Sequence, residues 1–179
     1  MDIEALKYPI GPYTPIKHPD TAVLESWIKN IENFPSQLED LTKNVSAAQL
    51  NWKYRPNGWT IKQVIHHCTD SHMNSIMRFK LALTEDMPTI KPYFEDRWAE
   101  LPDDLDDDIS GSMALLKGLH QKWTTLLKSL TPEQLAREFI HPEYEKPLSL
   151  TQTIGIYSWH CQHHLAHIKN ALTSNGIYQ

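Results

Sequence analysis

Apolar residues recur at three- and four-residue intervals in four separate stretches of this chain, and no stretch alternates residue by residue. From about Ala22 to Thr42, Val23, Leu24, Trp27, Ile28, Ile31, Phe34, Leu38 and Leu41 share one helical face, with Pro35 predicting a kink or break. A second helix is predicted to start at Thr60, where Gln63 completes a capping box, and to run to about Thr84. A third spans about Ser112 to Leu130. The fourth begins near Ser149, again with a glutamine three residues on (Gln152), and continues to about Thr173, where Asn175 and Gly176 stop it.

The connections are proline-rich. Pro9, Pro12, Pro15 and Pro19 make residues 1–20 read as an extended arm rather than a helix. Residues 87–109 carry Pro88, Pro92 and Pro102 and the acidic run Asp103, Asp104, Asp106, Asp107 and Asp108, expected to form a solvated loop with little regular structure. The two halves echo each other. Each has a long helix, a short Ser/Thr-x-x-Gln-Leu segment (Ser46 to Leu50; Thr131 to Leu135), a proline-containing loop and a capped helix bearing histidines. The pattern predicts an all-α fold: one four-helix-bundle domain over residues 1–179, built of two antiparallel helix pairs related by a pseudo-twofold.

Composition narrows the function classes. Hydrophobic residues at 40% and charged residues at 22% suit a globular chain. Seventeen Lys and Arg against 22 Asp and Glu, with no basic stripe, argue against nucleic acid as a partner. No run of ~18 apolar residues is present to span a membrane. The first residues lack the basic and apolar regions of a signal peptide, and two cysteines are too few for a disulfide scaffold, so a cytoplasmic location is expected.

Histidine changes the picture most. The chain has ten, four of them between His160 and His167. His160 and His164 stand four residues apart, so their rings lie one turn apart on one face and can grip one ion. At ~100° per residue, His164 falls at the edge of the arc formed by Ile154, Tyr157, Cys161, Leu165, Ile168 and Leu172, with His160 just beyond it. On the second helix, His67 lies just outside the arc of Ile61, Val64, Ile65, Cys68, Ile76 and Phe79, and a polar seam of Ser71, Asn74 and Arg78 follows it. A buried histidine is more often a hydrogen-bonded structural residue. The pair together with a seam-facing partner on a facing helix favours a metal centre of His67, His160 and His164. Three imidazoles suit zinc, nickel, copper or iron and leave a coordination position open for water, which a bound ion activates near neutral pH, or for a thiolate.

These residues carry a resemblance. Gly58-Trp59-Thr60, Gln63-Val64, His67, Asp70 and the later His160-x3-His164 are similar to the DinB/YfiT-like superfamily of metal-binding four-helix bundles. The segments Tyr8 to Tyr13 and Asp70 to Lys80 resemble its YfiT branch. The resemblance implies a cytoplasmic homodimer with one zinc per subunit, nickel also being accommodated, and His67, His160 and His164 as ligands. It implies a metal-dependent hydrolase, with bacillithiol- or mycothiol-type S-transferases among the relatives.

The leading expectation is therefore a hydrolase acting on a small molecule through a metal-activated water. Thiol transfer is the runner-up, and a binding module without turnover the third reading. Arg78 and Asn74 are candidates to position substrate, though an ion pair would equally occupy Arg78. Asp70 is a candidate to orient a ligand imidazole from behind, against a plain solvated position. His167 is open as a support for a ligand or as a pocket-lining base. Cys68 and Cys161 turn into the apolar arcs and read as small buried hydrophobes. Trp52, Tyr54 and Trp59 are expected to close the bundle end or roof the pocket. His66 is expected on the far side of its helix and His163 at the surface; His72 and His141 receive no role.

Overall fold

One four-residue device starts four of the helices. At Ser46, Thr60, Thr131 and Ser149 the hydroxyl accepts the amide of the glutamine three residues on, whose side chain accepts the capping residue's own amide. The computed structural model describes residues 2–143 and 146–178. Along them run α1 (Ile3–Lys7), α2 (Thr21–Thr42), α3 (Ala47–Leu50), α4 (Ile61–Thr84), α5 (Glu95–Trp98), α6 (Ser110–Ser129), α7 (Pro132–Leu135) and α8 (Leu150–Thr173). Two strands of two residues, β1 (Glu138–Phe139) and β2 (Leu148–Ser149), pair antiparallel just before α8.

The four long helices α2, α4, α6 and α8 form the expected bundle. Both α2 and α4 pack against α6 and α8. The two long helices of each half therefore lie across the bundle's diagonals rather than side by side, a correction to the expected pairing. The long connections make this geometry accessible, because each must cross the bundle end. Its consequence is that α4 and α8, the two histidine-bearing helices, become direct neighbours. Ile31, Phe34, Leu38, Ile65, Phe79, Leu116, Trp123 and Ile154 fill the shared core and are essentially inaccessible. No helix among the described residues is long and apolar enough to cross a membrane.

Three details differ from the sequence reading. Residues 3–7 are helical, because Asp2 caps the amides of Glu4 and Ala5 before the first proline arrives at position 9. The chain beyond then lies along α8, where the Trp159 indole donates to the Gly11 carbonyl at 3.1 Å. Met1, part of the expected arm, lies outside the described residues. The loops also hold more structure than expected: α3, α5, α7 and the β1–β2 pair are too short to show a period.

Pro35 does not interrupt α2. A proline within a helix removes one amide and leaves the carbonyl four residues earlier without its partner. Here that carbonyl belongs to Ile31, and His120 on α6 occupies it, with Nδ1 2.6 Å from the oxygen. The helix continues because a side chain replaces the missing donor.

Phe79 is fully buried and meets Trp123 edge-on. Phe79→Ala is expected to lower the unfolding free energy by about 3–5 kcal/mol in denaturant titration. A loss under about 1 kcal/mol would show that this core is not close-packed.

Candidate metal centre

His67 sits in the second turn of α4, and His160 and His164 lie one turn apart in the middle of α8. Because the two helices pack together, the three rings meet. Their centroids are 5.4 Å (His67–His160), 5.0 Å (His67–His164) and 4.4 Å (His160–His164) apart. One nitrogen from each lies within 4.8 Å of the others, and the Nε2 atoms of His67 and His160 are 3.3 Å apart. This is the spacing of a set of ligands around one ion.

The surrounding side chains hold these rings in place. Trp59 packs on His67 with ring centroids 4.6 Å apart. Tyr54 stacks on His167 at 3.8 Å, nearly parallel. Gly58 allows this corner to close: a Cβ there would come within 2.7 Å of Arg55 Cγ and 3.3 Å of the Tyr54 ring. The Nε2–H of His167 donates to the Lys7 carbonyl at 3.1 Å, an oxygen in the last turn of α1 with no helical amide to accept. The neutral ring of His167 then offers Nδ1 as an acceptor, 3.4 Å from Nδ1 of His164. His164 accordingly donates from Nδ1 and keeps its lone pair on Nε2.

His163, His164 and His167 form a second close triad. The two triads compete for His164. Serving the first requires the lone pair on Nε2 and the proton on Nδ1, while serving the second through Nδ1 requires the reverse. With Nε2 of His167 donating to Lys7, the hydrogen bonds favour the first triad. His163, expected at the surface, is instead buried and stacked on Trp159 at 4.2 Å, because the arm of residues 8–13 covers that side of α8.

All these imidazoles are neutral. Burial, reinforced by His163, pushes His67 down to about 4. Burial and the neighbouring rings hold His160 and His164 well below their ordinary range. His167 falls to about 3 by burial and the nearness of His163. Neutral imidazole is the form that ligates a metal. Buried nitrogens converging without a proton-bearing partner suit a divalent transition metal.

The centre opens into a cavity of about 490 Å³ lined by Tyr54, Trp59, Ser71, Arg78, Tyr93, His141 and Tyr157, among others. Arg78, a sequence candidate, lines this cavity, and its Nε is buried without a hydrogen-bond partner. Asn74 is turned away, donating to the Asp70 carbonyl one turn back. Asp70 does not line the cavity. It lies half-buried, where burial and the nearby Asp104 and Asp103 raise its carboxyl to about 6. The acidic run is thus not wholly solvated: Asp104 is buried, and Asp107 pairs with Lys62 at 2.7 Å. His66 is buried against α6, bonded to Ser112 at 2.8 Å and to the Asp106 carbonyl at 3.1 Å. Cys68 and Cys161 point into the core, and burial raises both thiols.

Residues 30–168 match the sequence profile of the DinB superfamily. The chain belongs to the DinB superfamily. Its similarity to YfiT of Bacillus subtilis reaches 46% identity, over 91% of this chain and 92% of that protein. A Bacillus mycoides relative, 48% identical over 91% of this chain and 93% of its own length, carries the same designation as a candidate metal-dependent hydrolase. The solved structure of YfiT aligns with a TM-score of 0.92 at 44% identity, covering 96% of this chain and 98% of that one. It is described as a probable metal-dependent hydrolase with an unusual four-helix bundle topology. A mycothiol-dependent maleylpyruvate isomerase shares the fold, with a TM-score of 0.63 at 15% identity over 81% of this chain and 60% of its own.

Within this DinB fold the sequence reading passed over His72 and His120, both buried. Each sits where the helical period demands an apolar residue, His72 between Cys68 and Ile76 and His120 between Leu116 and Trp123. That placement was the available signal.

Buried neutral histidines make stability depend on pH in a stated direction. His67 and His120 titrate at about 4 in the folded chain, against an ordinary value of 6.5. Between those values the unfolded chain binds protons that the folded chain refuses, so acid favours unfolding. Denaturant unfolding of the metal-free protein is expected to lose about 1.4 kcal/mol per pH unit for each such histidine as pH falls through that window. Stability that stays level or rises on acidification would contradict the buried neutral rings.

Proposed function

We propose that the protein is a metal-dependent hydrolase holding one divalent transition-metal ion, zinc by preference, through His67, His160 and His164. The observation that carries this reading is the convergence within 4.8 Å of three imidazole nitrogens, from the buried His67 and His164 and the partly buried His160, at the wall of a cavity. Three protein ligands beside a cavity are the arrangement of a catalytic zinc site, whereas structural sites close with a fourth ligand. The neighbouring thiols do not supply one, since Cys68 and Cys161 face the core. The designation of the YfiT relatives supports the same reading. When bound, such an ion lowers the pKa of water toward about 7 and polarises a carbonyl.

The chain's own residues then have definable tasks. The unengaged Nε of Arg78 lies in the cavity wall, so its guanidinium is free to bind an anionic group of the substrate. Tyr157, whose hydroxyl donates to the Ser71 carbonyl at 3.1 Å, stiffens the wall between α8 and α4. His141 is the one cavity-lining imidazole outside the two triads among the described residues. Its Nδ1 accepts the Glu143 amide at 3.3 Å, and burial and the Arg78 charge keep the ring below its ordinary pKa.

Zinc-loaded protein assayed on paired esters, one bearing a carboxylate and one neutral, tests this reading. The expected result is turnover without added thiol, lost together with bound zinc in His164→Ala. Arg78→Met is expected to raise the Michaelis constant for the carboxylate ester about tenfold or more, and to leave the neutral ester nearly unchanged. Conjugation activity that appears only with a low-molecular-weight thiol would replace hydrolysis by thiol transfer. Tight zinc with no turnover in either assay would leave a binding module.

A further inference from the structure

His72 and His120 join His160 in one chain of hydrogen bonds through the core. Nδ1 of His160 lies 3.1 Å from Nε2 of His72, and Nδ1 of His72 lies 2.8 Å from Nε2 of His120. Nδ1 of His120 lies 2.6 Å from the Ile31 carbonyl oxygen. Phe34, Trp123 and Tyr157 enclose the His72 ring with centroids 5.2, 5.8 and 5.4 Å away, which leaves it little room to turn over.

The far end sets the direction of the whole chain. A carbonyl oxygen only accepts, so His120 carries its proton on Nδ1. A neutral imidazole has one N–H, so Nε2 of His120 accepts and His72 must donate from Nδ1. By the same step Nε2 of His72 accepts, and His160 must donate from Nδ1. Nε2 of His160 is then left with a lone pair, and this is the atom facing Nε2 of His67 at 3.3 Å. Every other ring nitrogen of the chain is engaged within it. The Ile31 carbonyl is available because Pro35, four residues on, has no amide to give it.

We propose that His72 and His120 are positioning residues for the metal centre: anchored on the Ile31 carbonyl that Pro35 releases, they hold His160 as its Nδ1–H tautomer with Nε2 directed at the ion. This rests on the reading of His160 as a ligand. A core that needed only volume at these positions would be better served by leucine or phenylalanine, since a buried polar chain is stabilising only when all its members are satisfied. The chain therefore fixes one ligand nitrogen from the opposite side of the bundle. Such outer partners typically change metal affinity by 10–100-fold.

Nitrogen-15 NMR of the histidine rings in the metal-free protein reads the tautomers directly and needs no variant. His160, His72 and His120 are each expected to show a protonated Nδ1 and an unprotonated Nε2. A proton on Nε2 of His72 or His120 would overturn the proposal. This measurement stands whether or not the protein holds an ion, so its failure is distinct from failure of the hydrolase reading. Zinc affinity measured against a competing chelator adds the functional arm. His72→Phe, which keeps the ring but no acceptor, is expected to weaken zinc binding by about 10–100-fold. His72→Gln, whose amide oxygen can stand where Nε2 stood, is expected to recover most of the loss. Equal affinities in wild type and His72→Phe, or equal losses in both variants, would contradict the positioning role.

Discussion

An imidazole offers a lone pair to a metal only when it is neutral, and only from the nitrogen that does not hold its proton. A helical core makes both conditions hard to satisfy, because nearly every main-chain acceptor is already used. Among the described residues, two free carbonyls serve the histidines around the centre. The Ile31 oxygen is released within α2 by Pro35, and the Lys7 oxygen lies in the last turn of α1. One accepts from His120 and the other from His167. From these fixed ends the proton positions propagate inward, through His72 to His160 and from His167 to His164. Both α8 histidines are thereby prepared from opposite sides, and burial keeps every ring in the sequence uncharged.

The bundle's connectivity serves the same end. Because the long helices of each half lie across diagonals, α4 meets α8, and the cluster of His67, His160 and His164 is drawn from two helices alone. Loops and the N-terminal segment supply the walls instead. Tyr54 and Trp59 come from the turn before α4, Lys7 and Tyr8 from the end of α1, and His141 from the connection before α8. Connecting segments thus supply the cavity walls, while packed helices carry the three histidines.

Much of this was legible in the sequence, and the limits have physical reasons. The helix starts at Thr60 and Ser149 were readable because a capping box is a local device, complete within four residues. The convergence of His67, His160 and His164 was readable because helical periodicity places them beside the apolar arcs. The diagonal packing was not, since the length of a connection does not tell which side of the bundle it crosses. Arg78 reaches the cavity while Asn74 bonds back to the Asp70 carbonyl, although both lie on the same predicted seam. His163 was misplaced at the surface because its cover comes from a segment more than a hundred residues away. His72 and His120 stood out only as histidines at apolar positions, and their partners across the core are not visible in the sequence. Pro35 read as an interruption for the same reason, since its compensating donor sits on α6.

The central claim is that three imidazoles and no thiolate hold the ion. X-ray absorption at the zinc edge of the loaded protein tests this most directly. Three imidazole nitrogens and a light oxygen donor are expected around the zinc, as for a site left open to water. Sulfur among the ligands, or fewer than three imidazoles, would contradict it.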